Sequence, residues 1–150
     1  MTTHIDGLDD TEIRAILART RRIALVGASA RADRPSNEVL RYLLDHGYDV
    51  TPVNPGLAGQ LLHGRRVVSG LSEATPLDMV DVFRNSREAG AVVDEAASLG
   101  ARVVWMQLGV VDKAAAARGR AAGLTVVMDR CPVIERGRLR MPAPPPPPGP

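Results

Sequence analysis

The 150-residue chain has little of several residue types that mark particular classes of protein. Its single cysteine, Cys131, excludes an intramolecular disulfide framework and fits a reducing compartment. Aromatic residues make up only 3% of the chain, so the core must be built from aliphatic side chains and alanine. The only lysine is Lys113 and no G-K-[ST] sequence occurs, which excludes a P-loop.

Charge and the N-terminal segment exclude two further classes. The net charge of +2 is too small to indicate nucleic-acid binding, and the aromatic side chains on which RNA bases stack are missing. The first 22 residues contain no apolar run of export or membrane-spanning length and carry several acids, namely Asp6, Asp9, Asp10 and Glu12. We therefore expect a cytoplasmic protein with neither a nucleic-acid nor a membrane partner.

Length and local composition predict one domain and a tail. A chain of this size buries roughly two-thirds of its unfolded surface, which is enough for one core. From Met141 the sequence becomes rich in proline, which favours polyproline II and cannot form a core. We predict a single domain over residues 1–140 and a disordered Pro-rich tail over 141–150, with docking to a Pro-recognising module as the alternative role for the tail.

Between the termini, apolar runs of strand length alternate with helical patterns. Strands are predicted at 23–26, 48–53, 79–83, 101–107 and 124–129, and helices at about 10–19, 36–46, 86–99 and 113–122. A short strand is also possible at 67–68. This alternation predicts an α/β fold, a Rossmann-like, doubly wound parallel sheet of about five strands with flanking helices. We expect the order 3-2-1-4-5, with a topological switch beside the first strand.

The turn after the first strand is the clearest candidate site. Gly27 allows a sharp turn, Ala28 and Ser29 keep bulk away from a ligand, and Ser36 is predicted to cap the next helix with its hydroxyl. A strand that ends in such a turn and re-enters a helix presents backbone N–H groups to a phosphate. The sequence therefore predicts an anion site here rather than a metal site.

Other predicted strands end in residues that suit the same ligand-binding crevice. A nicotinamide dinucleotide is one ligand that can be tested against this pattern. Asn54-Pro55 follows the second strand, Arg84-Asn85 the third, and residues 107–109 the fourth. A nicotinamide-dependent oxidoreductase would have glycines at Ser29 and Ala32 and an acid at Asn54. An NAD(P)-binding oxidoreductase with a degenerate fingerprint therefore remains only as the alternative.

No residue pattern identifies a catalytic or metal centre. The histidines are His4, His46 and His63, and none has a partner at a spacing typical of a metal site or a triad. Cys131 follows the fifth predicted strand, where a thiol could meet the thiol of a ligand or simply fill the core. We expect binding without catalysis, with no catalytic and no metal-ligating residues.

Five sequence blocks carry a resemblance to a known family. They are V-G-A-S at 26–29 with R-P-S at 34–36, P-V-N-P at 52–55, D-V-F-R at 81–84, V-W-M-Q-L-G-V at 104–110, and A-A-G-L-T-V-V-M-D-R-C-P at 121–132. In this order and spacing the chain resembles, over about residues 8 to 135, the stand-alone CoA-binding domain proteins. These are similar to the N-terminal domain of the succinyl-CoA synthetase alpha subunit. One departure is Leu57, near which the ligase subunit carries a lysine.

The resemblance implies a ligand, coenzyme A or an acyl-CoA, and a set of residues around it. It implies that backbone amides of the glycine turn and of the following helix start hold the pyrophosphate, that an arginine meets a phosphate, and that the next two loops flank the adenosine. Carried onto this chain, the residues are Gly27, Ala28, Ser29, Arg34, Pro35, Ser36, Val53, Asn54, Pro55, Phe83 and Arg84. Arginine suits a phosphate because its planar fork donates two parallel charge-assisted hydrogen bonds. The protein partner is unknown at this stage.

Overall fold

The structure, a computed structural model, describes residues 4–142, so most of the predicted tail, 143–150, lies outside the described residues. The main sheet consists of five parallel strands, β1 (Arg22–Val26), β2 (Asp49–Val53), β5 (Met79–Val82), β6 (Val103–Met106) and β7 (Thr125–Val127). Strands β3 (Leu61–Leu62) and β4 (Arg65–Arg66) form a separate antiparallel hairpin. The predicted Rossmann-like fold is confirmed.

Five helices flank the sheet. They are α1 (Asp10–Arg19), α2 (Pro35–Asp45), α3 (Ser86–Ser98), α4 (Lys113–Ala121) and α5 (Pro132–Arg138). Helices α1, α2 and α5 cover one face of the sheet and α3 and α4 the other, so each face has its own aliphatic core. The largest buried side chain, Trp105, lies in the first core and donates its indole N–H to the carbonyl of Arg130 at 2.8 Å.

The predicted strand order is wrong. The observed order is β2-β1-β5-β6-β7, so the third main strand lies beside β1 and not outside β2. At the outer edge of β2, Val68 forms an isolated parallel bridge with Val53, so the possible strand at 67–68 is reduced to one bridging residue, and strand β4 lies just before it at Arg65–Arg66. A 3-10 turn at Leu71–Ala74 packs against both β2 and β1 and leads the chain to the far side of β1. The switch point still lies beside β1, at the gap between β1 and β5.

Two helix predictions also need correction. Helix α2 begins at Pro35, with Arg34 at the N-cap and no side chain capping it, because proline suits the first helical position. Ser36 therefore lies inside the first turn and is buried, so the prediction that its hydroxyl caps the helix is wrong. Helix α5 was not predicted at all, since its seven residues carry only a short apolar pattern.

A buried group of charged side chains joins the two ends of the described chain; we call it the terminal seam, formed by Asp6, Arg130 and Glu135. Arg130 donates to both carboxylate oxygens of Asp6, at 2.8 and 3.0 Å, and to Glu135 at 3.1 Å. Burial alone would raise the pKa of Asp6, but hydrogen bonds from Arg130 and from the N–H groups of Leu8 and Met128 outweigh it and lower the pKa.

No helix within residues 4–142 combines the length and the apolar character needed to cross a membrane.

Candidate functional site

The loop that follows β1, residues 27–34, lies at the switch point and is called the β1 loop below. Gly27 has φ +94°, and a Cβ placed on it would lie 2.6 Å from the carbonyl oxygen of Phe83. The backbones that leave β1 and β5 therefore pass too close for any side chain at this position. The predicted sharp turn is present. The close approach of these two backbones is the first reason why this position requires a glycine.

The hydrogen bonds of this loop decide which N–H groups are free. Those of Gly27 and Ala28 both donate to the carbonyl oxygen of Val53, at 3.1 and 3.2 Å. The N–H groups of Ser29, Ala30 and Ser36 donate to no atom of residues 4–142. Of the donors that the sequence suggested, Ser29 and the helix start at Ser36 therefore remain available to an anion, Gly27 and Ala28 do not, and Ala30 is an additional donor.

Two asparagine side chains hold the loop in this shape. Asn54 donates from Nδ2 to the carbonyl of Ala28 at 2.8 Å, while its Oδ1 accepts from the N–H of Gly56 at 2.8 Å. Asn37 donates from Nδ2 to the carbonyl of Ser29 at 2.8 Å, and its Oδ1 accepts from His63 Nε2 at 2.8 Å. The carbonyls of Ala28 and Ser29 are thereby hydrogen-bonded within the protein, and the free N–H groups of the loop remain available to a ligand.

Three cavities meet at the β1 loop. One of about 610 Å³ lies over the loop, one of about 840 Å³ runs between α2 and α5, and one of about 520 Å³ lies between the strand ends and α3. Each has the size of a small-molecule site. The structure brings every predicted binding residue to one of these walls: Gly27, Ala28, Ser29, Arg34, Pro35, Ser36, Val53, Asn54, Pro55, Phe83 and Arg84.

Three of the arginines at the site lie in the β1 loop or directly after β5. Arg31 is paired with Asp33 at 3.0 Å, and Arg84 is paired with Glu88 at 3.0 Å. Arg34 is exposed and meets no carboxylate of residues 4–142 within salt-bridge distance. It is therefore the arginine of the loop that is available to an anion without breaking an existing pair.

The cavity between α2 and α5 has mainly apolar walls and two unusual polar groups. Val39, Tyr42 and Ile134 line it, which are side chains that suit a flexible organic chain. Gln107 also lines it, and its Oε1 is buried without a hydrogen-bond partner within residues 4–142. Cys131 lies on the same wall; as expected for a core-filling thiol it is also buried in the apolar core.

Sequence reasoning missed several contributors to this site. Asn37 had no visible signal, because its partner His63 lies 26 residues further along the chain. Helix α5 was not predicted, so the second wall of the cavity between α2 and α5 was not foreseen. Among residues 4–142 no group of three or more His, Cys, Asp and Glu is arranged to hold a metal ion.

One titratable group lies beneath the site. Asp81 sits in β5, beside Leu25 of β1 and Trp105 of β6, and is fully buried. Neither carboxylate oxygen has a hydrogen-bond partner among the described residues, and burial raises the pKa of this carboxyl well above its ordinary value. Asp81 lines none of the three cavities, so its energetic effect falls on folding.

Comparison with known proteins places these features in a family. A family model described as "CoA binding domain" matches residues 21–137. The uncharacterized protein YneT of Bacillus subtilis is 42% identical over 121 residues, which are 80% of this chain and 88% of YneT. A solved structure of a hypothetical protein from Pyrococcus horikoshii OT3 is 40% identical, with a TM-score of 0.88, and the match covers 93% of this chain and 98% of that one.

A larger enzyme shares the fold. The dinucleotide-forming acetyl-coenzyme A synthetase 1 of Ca. Korarchaeum cryptofilum matches with a TM-score of 0.65 and 21% identity, over 76% of this chain and 26% of the synthetase. At that identity the likeness concerns the architecture alone. The family match over residues 21–137 confirms the resemblance that the five sequence blocks carry.

Proposed function

Because the chain belongs to the CoA binding domain family, we propose that it binds coenzyme A or an acyl-CoA across the carboxyl edge of the sheet, without catalysis of its own. The observation that carries the proposal is the set of free N–H groups at Ser29, Ala30 and Ser36 beside the unpaired Arg34. Together they offer directed donors and one positive charge to a pyrophosphate. In this proposal Gly27 and Ala28 shape the phosphate-binding turn, while Ser29, Ala30 and Ser36 donate the hydrogen bonds.

The adenosine end is assigned to the cavity beside α3. Val53 and Pro55 supply apolar contact for the base, and Arg84 and Arg87 lie on the same wall. Two arginines suit the 3′-phosphate of CoA, a group that NAD lacks. Arg84 already meets Glu88 at 3.0 Å, so a phosphate there would share or replace that partner.

The pantetheine arm is assigned to the cavity between α2 and α5. Pro35 and Phe83 line both this cavity and the one over the β1 loop, so a ligand can pass from one to the other without leaving the protein surface. The apolar walls suit the methylene groups of the arm, and its two amides can meet the side chain of Gln107.

Asn54 is the residue that distinguishes CoA binding from the alternative, the binding of a nicotinamide dinucleotide. A dinucleotide-binding site usually has a carboxylate after the second strand to accept the ribose hydroxyls. Here Asn54 stands at that point, and both ends of its amide are already used, by Ala28 and by Gly56. This arrangement favours CoA over NAD.

Binding without catalysis is proposed because neither histidine that lines the site is paired with a carboxylate. His63 meets an asparagine, and His46 Nδ1 lies 2.7 Å from the carbonyl of Tyr42. Neither histidine therefore has the carboxylate partner of a catalytic triad. We propose that the protein acts in the cytoplasm as a CoA-binding module, with its protein partner still to be found.

Thermal melting tests ligand choice. A ligand at a hundred times its dissociation constant stabilises the folded state by about 2.7 kcal/mol, which a melting curve resolves. Millimolar CoA is expected to raise the Tm while NAD at the same concentration leaves it unchanged. The reverse ranking would overturn the proposal, and thioester formation from CoA, acetate and ATP by the purified protein would overturn its non-catalytic part.

A further inference from the structure

Two side chains in the cavity between α2 and α5 remain without a role in the proposed binding of the phosphates. Gln107 is only 6% exposed, lines the cavity, and has an amide oxygen without a hydrogen-bond partner among the described residues. A buried unpaired amide oxygen is costly unless a ligand supplies a donor. Cys131, 7% exposed, lines the same cavity and is the single thiol of the chain.

Cys131 lies within reach of a pantetheine arm that starts at the β1 loop. Its neighbour Arg130 donates its N–H to the carbonyl of Met106 at the end of β6, two strands along the sheet from β1, which is about 10 Å at the usual strand spacing. The arm from the pyrophosphate to the sulfur has the backbone length of roughly four extended residues, which span about 14 Å. A CoA whose pyrophosphate occupies the β1 loop can therefore bring its sulfur to this thiol.

We propose that Cys131 captures CoA covalently, as a mixed disulfide formed by exchange with a CoA-containing disulfide, and that Gln107 positions the arm by accepting a hydrogen bond from one of its amide N–H groups. This inference rests on the proposed function, since the phosphate cradle supplies the selectivity for CoA over other disulfides. It assigns the protein a second state in which CoA remains bound until a thiol releases it.

The exchange needs no separate oxidant. The thiolate of Cys131 attacks one sulfur of the disulfide, a new sulfur–sulfur bond forms, and the old one breaks. The departing half leaves as a thiolate and takes up the proton that Cys131 released. One disulfide is consumed and one is formed, so the electrons balance, and reduction by an excess of free thiol reverses the step.

Intact-protein mass spectrometry tests the capture. The reduced wild-type chain, freed of reductant, is mixed with symmetric CoA disulfide or, in parallel, with glutathione disulfide, which has no nucleotide. The expected result is addition of one CoA moiety, at least about tenfold faster than addition of glutathione, because binding raises the local disulfide concentration. Since the chain has a single cysteine, any adduct lies on Cys131.

Three further measurements separate positioning from mere reactivity. Desulfo-CoA, which keeps the phosphates but lacks the thiol, is expected to slow the CoA reaction. Gln107→Met, close in volume but without the amide, is expected to bring the CoA rate toward the glutathione rate. Calorimetry of the wild type with reduced CoA in the presence of a phosphine reductant reports non-covalent binding alone.

The outcomes distinguish this inference from the proposed function. Binding in the calorimeter without an adduct, or equal rates with both disulfides and no slowing by desulfo-CoA, would overturn the capture and leave CoA binding intact. A normal CoA rate in Gln107→Met would remove the role of Gln107. Absence of binding in the calorimeter would overturn the proposed function itself, and the covalent inference with it.

Discussion

The terminal seam and the β1 loop carry arginines in opposite states. In the seam Arg130 is 5% exposed and donates to two carboxylates and to the carbonyl of Leu8. In the β1 loop Arg34 is exposed and meets no carboxylate of residues 4–142. The paired arginine holds two distant segments together, whereas the unpaired one is available to a ligand. The same residue type thus stabilises the fold in one place and provides for binding in the other.

The largest expected effect comes from breaking the seam. Arg130→Met leaves Asp6 as a buried carboxylate without its arginine, while Glu135 keeps Arg138 at 2.7 Å, and the free energy of unfolding is expected to fall by about 3–5 kcal/mol. Urea denaturation at pH 7 measures this. In the wild type the contribution of Asp6 is complete above its ordinary pKa of 3.8 and is lost as the pH falls toward its lowered pKa.

Arg118→Ala is the matched control for the seam. Arg118 pairs with Asp94 at 3.2 Å, but both side chains are more than half exposed, at 53% and 58%. An exposed pair of this kind contributes about 0–1 kcal/mol. A loss of equal size in the two variants would show that burial of the seam has no energetic consequence.

A second test concerns the close approach of the β1 loop to β5. Gly27 and Gly59 both have positive φ, at +94° and +90°, but only at Gly27 would a Cβ meet another backbone atom. Gly59→Ala is expected to cost only the left-handed strain of about 1–2 kcal/mol, and Gly27→Ala to cost about 1–3 kcal/mol more. Paired urea titrations measure the difference, and identical losses would contradict the described contact with Phe83.

This contact also changes how a bulky Gly27 variant must be interpreted. A branched side chain at Gly27 has two conceivable effects, blocking the pyrophosphate or straining the turn. The structure shows that it would strike the carbonyl of Phe83 first. Loss of CoA binding in Gly27→Val would therefore reflect a displaced loop, and the binding site is tested more cleanly through Arg34.

The third test concerns Arg34, the arginine of the β1 loop that was compared with Arg130 of the terminal seam. Arg34→Ala removes the unpaired cation while leaving the start of α2 intact, because no side chain caps this helix. CoA binding is expected to weaken by about 1.5–3 kcal/mol, the range for hydrogen bonds to charged groups, with a smaller salt dependence. Titration calorimetry measures both.

Arg102→Ala is the control for that titration. Arg102 is exposed and precedes β6 at the opposite, amino edge of the sheet. Its removal is expected to leave the affinity for CoA unchanged. Equal weakening in the two variants would mean that CoA responds to the overall charge of the protein and not to Arg34.

The smallest expected effect comes from Asp81, a buried carboxyl that belongs to neither the terminal seam nor the β1 loop. Its pKa is raised in the folded protein, so stability falls as the pH rises above the ordinary value of 3.8 toward the raised pKa. Asp81→Val is expected to raise the free energy of unfolding by about 1–2 kcal/mol at pH 7, with a smaller gain near pH 4. A destabilised variant at both pH values would indicate a partner for this carboxyl that the described contacts do not include.

Local sequence rules recovered the elements that local chemistry determines. The capping box of α1 follows from Asp9 and Glu12, three residues apart, and both of its hydrogen bonds are present. The glycine turn after β1 likewise lies where the strand pattern ends. These features depend on neighbours within a few residues, which a single sequence displays directly.

The misses share a physical cause, which is dependence on distant partners. The order of the strands depends on which edge of β1 pairs with β5, and the seam depends on Asp6 and Arg130, 124 residues apart. The use of the Gly27 and Ala28 amides by Val53 is equally non-local and removed two of the expected donors. No spacing rule reports such contacts, because they arise only when the chain has closed into its sheet.

Nuclear magnetic resonance with an isotopically labelled chain tests the central assignment most directly. Titration with CoA is expected to shift the amide signals of Ser29, Ala30 and Ser36, whose N–H groups have no partner within residues 4–142, while amides at the amino edge, such as those of Asp78 and Arg102, stay in place. Saturation with CoA that moves the amino-edge signals and leaves these three unshifted would contradict the assignment of the site.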